Sequence, residues 1–159
     1  MRSMSDTLAR LAALRGTLRA RPSQDNPDLV ALDAFGSNPG ALGGYIYLPS
    51  KRGKDMALVV VLHGCTQTAA GYDIGSGWSR LAEDYGFALL LPEQRRANNP
   101  NLCFNWFNPE DISRDHGEVF SIRRMIAKVV AEHGIDGARV RDRAFGRRRH
   151  GRSHARHLS

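Results

Sequence analysis

The 159-residue chain lacks the features that define several classes of protein. It has only two cysteines, Cys65 and Cys103, and they form no C-x-x-C pair of the kind typical of zinc sites. The N-terminal stretch lacks the continuous apolar core of a secretory signal. The cysteine pattern argues against a zinc-stabilised domain. The N-terminal sequence is not that expected of a signal peptide, and no membrane span is expected.

The N-terminal residues have a pattern of their own. Four leucines between positions 8 and 18 recur every three or four residues with arginines between them, which predicts an amphipathic helix with Ser5 or Asp6 as its N-cap. That helix either packs on the rest of the protein or binds a membrane surface. Residues 21–39 are rich in Pro, Asn, Asp and Ser, as linkers are. We therefore assign residues 1–34 to a helix and linker that precede the folded domain.

The middle of the chain alternates between strand and helix patterns. The most informative run, residues 57–62, is apolar and β-branched without alternation, as in a central strand covered on both faces. Strand–helix alternation is typical of a parallel sheet. Strands are predicted at residues 45–48, 57–62 and 87–91, and helices at residues 77–85 and 121–133.

Five short motifs follow one another along the chain: FGSNPG at 35–40, HGCTQ at 63–67, GSGW at 75–78, LPEQ at 91–94 and NLCFNWF at 101–107. In order and spacing they resemble those of the polyhydroxybutyrate depolymerase-type esterases, which have the α/β-hydrolase fold. The resemblance implies an α/β domain with a mostly parallel sheet flanked by helices, of which residues 35–140 would be the incomplete N-terminal part. It also implies hydrolysis of a polyhydroxyalkanoate or related acyl ester through a Ser-His-Asp mechanism, without a metal or organic cofactor.

The resemblance assigns an oxyanion-hole role to the loop that follows the third strand. In this fold that loop supplies one backbone N–H of the oxyanion hole. Here it contains His63 and Gly64, and the N–H of Cys65 is the candidate donor, with Thr66 beside it. His63 is expected to shape the loop and not to transfer protons.

Further roles follow from the same resemblance. Gln67 is a candidate substrate-binding residue at the carboxyl end of a predicted strand, and Trp106 is a candidate wall for an apolar acyl chain, although a tryptophan in a loop is often simple packing. Cys65 and Cys103 each follow one of two neighbouring strands, so a disulfide between them is expected, with two free buried thiols as the alternative. A disulfide suits an extracellular location, which the family favours; a cytoplasmic location is the alternative.

The composition changes after Val140. Residues 141–159 contain seven arginines and three histidines but a single acidic residue, Asp142. The tail therefore carries a net charge of +6, from seven positive and one negative residue, out of the chain's +7. With almost no apolar side chains to bury, it is predicted to be irregular or disordered.

The tail replaces the segment where the family has a strand and a Gly-x-Ser-x-Gly nucleophile elbow. If the first base of the Arg141 codon is dropped, back-translation permits Val-Thr-Gly-Leu-Ser-Ala-Gly-Gly-Ala-Met, which is a strand end followed by that elbow. We therefore interpret residues 141–159 as an out-of-frame translation and the chain as a truncated, inactive esterase.

No catalytic triad is recognisable as the chain is written. The nucleophilic serine, the aspartate and the histidine are all expected beyond Val140. Ser153 does not lie in a complete Gly-x-Ser-x-Gly frame, and no role is assigned to it or to the three tail histidines, His150, His154 and His157.

Two other functions stay open. Feruloyl and acetylxylan esterases share the fold and similar motifs, and they are the enzymatic alternative. The alternative from another class is nucleic-acid binding through the arginine-rich tail, which would be strongly salt-dependent. If the tail is out of frame, no nucleic-acid partner is expected.

Overall fold

The computed structural model describes residues 26–144. The predicted N-terminal amphipathic helix, Ser153 and the three tail histidines lie outside the described residues.

Five strands and three helices make up this part of the chain, and the strands and helices predicted within it are all present. The strands are β1 (Val30–Ala31), β2 (Gly43–Tyr47), β3 (Met56–Leu62), β4 (Ala88–Glu93) and β5 (Ile135–Ala144). The helices are α1 (Ala69–Ser76), α2 (Trp78–Tyr85) and α3 (Gly117–His133). None of the helices in residues 26–144 has the length and apolarity needed to cross a membrane.

The strands form one sheet in the order β1-β2-β4-β3-β5. β3 is parallel to both of its neighbours, β4 and β5, whereas β2 is antiparallel to β4 and to β1. The α/β class and the adjacency of the third and fourth strands are confirmed. The expectation of a mostly parallel sheet needs correction, because β1 and β2 make one half of the sheet antiparallel.

Helices cover both faces of the sheet centre, which explains the unbroken apolar runs of β3 and β4. On one face, Leu58 and Leu90 share a cluster with Met125 and Val129 of α3. On the other face, Leu89 packs in a second cluster that includes residues of α1 and α2. Successive side chains of a strand point to opposite faces, so a strand buried on both sides must be apolar at every position.

Two helices lie between β3 and β4, and the second, α2, matches the helix predicted at residues 77–85. Gly77, with φ of 73°, ends α1 and precedes α2. The buried carboxylate of Asp73 accepts the N–H of Ser79 at 2.7 Å and so caps the second helix from the first. The same carboxylate accepts Asn26 Nδ2 at 2.6 Å, which fastens the start of the described chain.

The folded part extends beyond both predicted boundaries of the domain, which were residues 35 and 140. Val30–Ala31 pairs with β2, and Leu32 lies in the core, so the folded part begins before residue 35. β5 continues through Val140 to Ala144. The expectation of an irregular tail is therefore wrong for residues 141–144, because a strand is held by backbone hydrogen bonds that any side chain permits. Residues 145–159 lie outside the described part.

The loop before β2 is fastened to the start of α3 by close backbone contact. The N–H of Gly40 donates to Ser121 Oγ at 2.9 Å. A Cβ atom on Gly40 would lie 2.6 Å from Glu118 Cα, which is a backbone atom that cannot swing away. Glycine is therefore required here by space.

We expect Gly40→Ala to lower the free energy of unfolding by about 1–3 kcal/mol, because loop and helix must separate to admit the methyl group. Urea titration followed by circular dichroism measures this change. Gly53→Ala is the matched control, since nothing lies within 4 Å of its Cβ position. Equal stability of the two variants would contradict the close-contact account.

Candidate active site

His63 stands at the end of β3 with both ring nitrogens engaged. Its side chain is 4% exposed, and its ring packs against that of Phe104 at a centroid distance of 5.0 Å. Nε2 lies 3.1 Å from the backbone nitrogen of Gln94, and Nδ1 lies 2.8 Å from the carbonyl oxygen of Gly64. A backbone N–H can only donate, so Nε2 is the acceptor and Nδ1 carries the proton.

Burial lowers the pKa of His63, while the bond to the Gly64 carbonyl and the charge of Glu93 act in the opposite direction. A neutral ring with one donor and one acceptor fits these contacts, whereas a doubly protonated ring would set Nε2–H against the N–H of Gln94. His63 is therefore built to hold the loop, and neither nitrogen is free to act as a base.

The contact to Gly64 fixes the direction of the candidate oxyanion donor. The carbonyl of Gly64 and the N–H of Cys65 belong to one planar trans peptide, so they point in opposite directions. Because His63 holds the carbonyl on the buried side, the Cys65 N–H faces away from the ring. Cys65 is exposed, and its N–H makes no hydrogen bond to any residue between 26 and 144.

Thr66 is not equivalent to Cys65 as a donor. Its N–H donates to the carbonyl of Asn101 at 2.7 Å, and its hydroxyl donates to the carbonyl of Cys65 at 2.6 Å. Its φ of 64° shows that the loop turns sharply at this residue. Of the two oxyanion candidates, Cys65 alone retains an available N–H, and Thr66 ties the loop to the neighbouring segment.

Gln67 closes the loop on itself. Its side-chain Oε1 accepts the N–H of Gly64 at 2.8 Å, and its own N–H donates to the carbonyl of Gly64 at 3.2 Å. A Cβ on Gly64 would meet that Oε1 at 2.8 Å, so the tight closure favours glycine. The expected substrate-binding role of Gln67 stays a prediction, since its oxygen is engaged within the loop.

A disulfide joins this loop to the segment that follows β4. Cys65 and Cys103 are bonded, with their sulfurs 2.05 Å apart, and the chain has no free cysteine. Together with the Thr66–Asn101 hydrogen bond, the disulfide gives the loop a second attachment to the same segment.

Gln94, the residue after β4, joins several segments around the site through hydrogen bonds. It is 2% exposed, and its side chain makes every hydrogen bond available to an amide. Nε2 donates to Glu118 Oε1 at 2.6 Å and to the Cys103 carbonyl at 3.0 Å. Oε1 accepts the N–H of Arg95 at 2.9 Å and Nδ2 of Asn98 at 3.0 Å.

Glu118, in the first turn of α3, is a buried acid that sequence reasoning missed. It is 4% exposed, and its second oxygen accepts the N–H of Asn105 at 2.8 Å. Burial raises its pKa, whereas the hydrogen bonds from Asn105 and Gln94 act to lower it. An acid at the start of a helix is the only signal that the sequence offers. Alone, it indicates no more than a favourable interaction between a negative side chain and the helix dipole.

Trp106 lies on the surface beside this network. Its side chain is 73% exposed, and its ring meets that of Phe107 edge-on at 6.2 Å. Ile112, in the same loop, is also exposed. Trp106 and Phe107 form an exposed apolar pair. The bond from Asn105 to Glu118 anchors the residue before Trp106.

The register of β5 brings a further part of the chain to this edge of the sheet. β5 runs parallel to β3, and its last described residue, Ala144, pairs with Leu62. His63 follows Leu62 directly, so the last described residue of β5 lies at the edge from which the loop of residues 63–67 emerges. In open α/β sheets, ligands bind beyond the carboxyl ends of the parallel strands.

Comparison with known proteins identifies the family. The family described as "Esterase PHB depolymerase" matches residues 42–147. The chain belongs to this family. The match covers most of the described sheet and continues past Val140 over the first residues of the arginine-rich tail.

Known relatives are esterases of related kinds. The chain is 47% identical over 112 residues to poly(3-hydroxyalkanoate) depolymerase C of Paucimonas lemoignei, covering 70% of this chain and 27% of the relative. It is 31% identical over 113 residues to feruloyl esterase B of Talaromyces funiculosus, covering 70% and 31%. The solved acetyl xylan esterase of Aspergillus awamori superposes with a TM-score of 0.63 at 28% identity, covering 73% of this chain and 42% of that one. The chain thus spans less than half the length of these esterases.

The buried state of His63 predicts a pH effect on stability. Its pKa in the folded protein is below the unfolded value of 6.5, so the unfolded chain takes up the proton first as the pH falls. The free energy of unfolding should therefore fall as the pH drops through 6.5. We expect this fall to be smaller in His63→Asn than in the unchanged protein, measured by urea titration between about pH 7.5 and 5.5.

His116→Asn, at the exposed residue before α3, is the control for the same substitution. Glu118 is present in all three proteins, so its own titration cancels in the comparison. The same pH slope in all three would show that His63 is not held neutral by burial.

Proposed function

We propose that residues 63–67 form the oxyanion loop of a carboxylic-ester hydrolase of the polyhydroxybutyrate depolymerase type, and that the chain as written is inactive. The observation that carries the proposal is the free Cys65 N–H, held in a fixed direction at the edge of the sheet where β5 ends. Family membership supports the reaction class.

The chemistry needs such a donor. Attack of a serine oxygen on the ester carbonyl places negative charge on the carbonyl oxygen, and preorganised N–H groups stabilise that charge. In the proposed mechanism Cys65 supplies one N–H, and the residue after the serine supplies the other, as in the nucleophile elbow of α/β-hydrolases. The bonds to His63 and the disulfide to Cys103 keep the first donor in place before substrate arrives.

The out-of-frame interpretation of the tail is also a proposal, and the β5 register supports it. In the alternative reading frame, the serine of Gly-Leu-Ser-Ala-Gly falls at position 145, directly after Ala144. Ala144 pairs with Leu62, so this frame would introduce the nucleophile next to the loop that carries Cys65. The chain as written has Phe145 there.

The chain as written should not hydrolyse a short-chain nitrophenyl ester above the buffer rate, and a fluorophosphonate should not label Ser153. Shifting the frame by one base at the Arg141 codon, and reading on through the gene, should restore hydrolysis and labelling at position 145. The control is the frame-shifted protein with alanine at that position. Turnover by the unshifted chain, abolished by Ser153→Ala, would contradict this proposal.

The substrate class is proposed from the exposed aromatic pair of Trp106 and Phe107. An apolar surface of this kind suits the acyl chain of a polyhydroxyalkanoate or related ester. Acetylxylan and feruloyl esters are the alternative, because relatives that bear those names match the chain. Rates of the frame-shifted enzyme on polymer and on short soluble esters separate the two.

In the frame-shifted enzyme, we expect Trp106→Ala to raise KM about 5- to 30-fold with little change in kcat, because lost apolar contact weakens ground and transition states alike. Steady-state kinetics on a medium-chain ester measures this. Tyr85→Ala removes a comparably exposed aromatic side chain from α2 and should leave KM unchanged. A fall in kcat alone would assign Trp106 a different role.

We also propose an extracellular location, supported by the disulfide, since such bonds persist in oxidising compartments. Alkylation of free thiols in the protein taken directly from its source cells tests this proposal. Alkylated Cys65 and Cys103 would favour the cytoplasmic alternative.

A further inference from the structure

We propose that Glu118 is a positioning residue for the oxyanion loop: it holds Gln94, which with His63 sets the direction of the Cys65 N–H. This inference rests on the proposed role of Cys65 as the oxyanion donor. Glu118 itself is in the first turn of α3, on a different element from the loop that it would control.

The first step is the contact between Glu118 and the segment after β4. Its two oxygens accept two different donors, Gln94 Nε2 at 2.6 Å and the Asn105 N–H at 2.8 Å. No lysine or arginine of residues 26–144 forms an ion pair with it. A glutamine here would have to present its NH₂ group to one of the two donors, so only the acid satisfies both.

The second step is the immobilisation of Gln94. Each of its side-chain polar atoms makes two hydrogen bonds, and the residue is almost fully buried. Loss of the partner at Glu118 would leave a buried N–H without an acceptor, which is costly enough to shift the residue. Because the backbone N–H of Gln94 donates to Nε2 of His63, a shift of Gln94 reaches the ring directly.

The third step passes through the ring to the peptide of Cys65. His63 accepts from Gln94 at one nitrogen and donates to the Gly64 carbonyl at the other. The contact with Gln94 thus selects the ring form that can donate to Gly64. A carbonyl that accepts a hydrogen bond polarises its peptide, so the N–H of Cys65 becomes a stronger donor as well as a directed one.

Gln94 also holds the other attachment of the loop. Its Nε2 donates to the carbonyl of Cys103, the disulfide partner of Cys65. Glu118 therefore stabilises both segments that the disulfide joins. Release of Glu118 should loosen the ring contact and the disulfide together.

The test is Glu118→Gln in the full chain as written, followed by nuclear magnetic resonance. We expect the ¹⁵N shifts of the His63 ring to show that the ring no longer has the proton on Nδ1 alone. The backbone amide shifts of Gly64 and Cys65 should move, and the Thr66 amide should exchange with solvent about tenfold faster. Reduction of the disulfide by dithiothreitol should also accelerate about tenfold.

Two controls separate positioning from a general loss of stability. Glu110→Gln makes the same change at an exposed acid in the segment before α3 and should leave all four readouts unchanged. Val129→Ala removes core contacts on α3 away from this network; it should lower stability without changing the ring form or the amide shifts. If Glu118→Gln fails to fold, Asn98→Ala removes one donor to Gln94 and should move the same signals by a smaller amount.

Unchanged ring and amide signals in Glu118→Gln and in Asn98→Ala would overturn the inference, even if stability falls. None of these readouts requires turnover. A frame-shifted enzyme without esterase activity would therefore refute the proposed function alone, and an active one with an unaffected loop in Glu118→Gln would refute the positioning role alone.

Discussion

The pair of hydrogen bonds on the His63 ring is the interaction on which the site depends. It joins the ends of β3 and β4 and fixes the plane of the peptide that carries the Cys65 N–H. Both bonds are sheltered from water, because the ring is buried against Phe104. A neutral ring is required for this arrangement, and burial favours the neutral ring. The same two bonds that leave His63 no free nitrogen to act as a base make it a rigid support.

The fold supplies what this support needs. β3 and β4 are adjacent and parallel, so the loops after them emerge at one edge of the sheet, where the disulfide and the Thr66–Asn101 bond can join them. α3 packs on one face and brings Glu118 beneath the same edge. β5 adds a third parallel strand that ends there. The structure thus concentrates polar contacts at one edge and apolar packing along the centre.

Much of the fold could be predicted from the sequence, because the strand runs and helix spacings are local patterns. The two-residue β1 has too little pattern to be found, and the cap that Asp73 provides for α2 is a contact that spacing does not reveal. The strand at residues 141–144 could not be predicted from the arginine-rich composition, because its pairing with β3 is made by the backbone. In the site, motifs located His63 and Cys65, whereas Glu118 matters only through contacts to distant Gln94 and Asn105.

The most direct test of the central claim, that Cys65 is an oxyanion donor, is a crystal structure of the frame-shifted protein inhibited by a phosphonate ester. The phosphonyl oxygen mimics the oxygen that becomes charged in ester hydrolysis. The account predicts this oxygen within about 2.7–3.1 Å of the Cys65 nitrogen, with the His63–Gly64 bond intact. A phosphonyl oxygen bound by other groups, with the Cys65 N–H directed elsewhere, would contradict it.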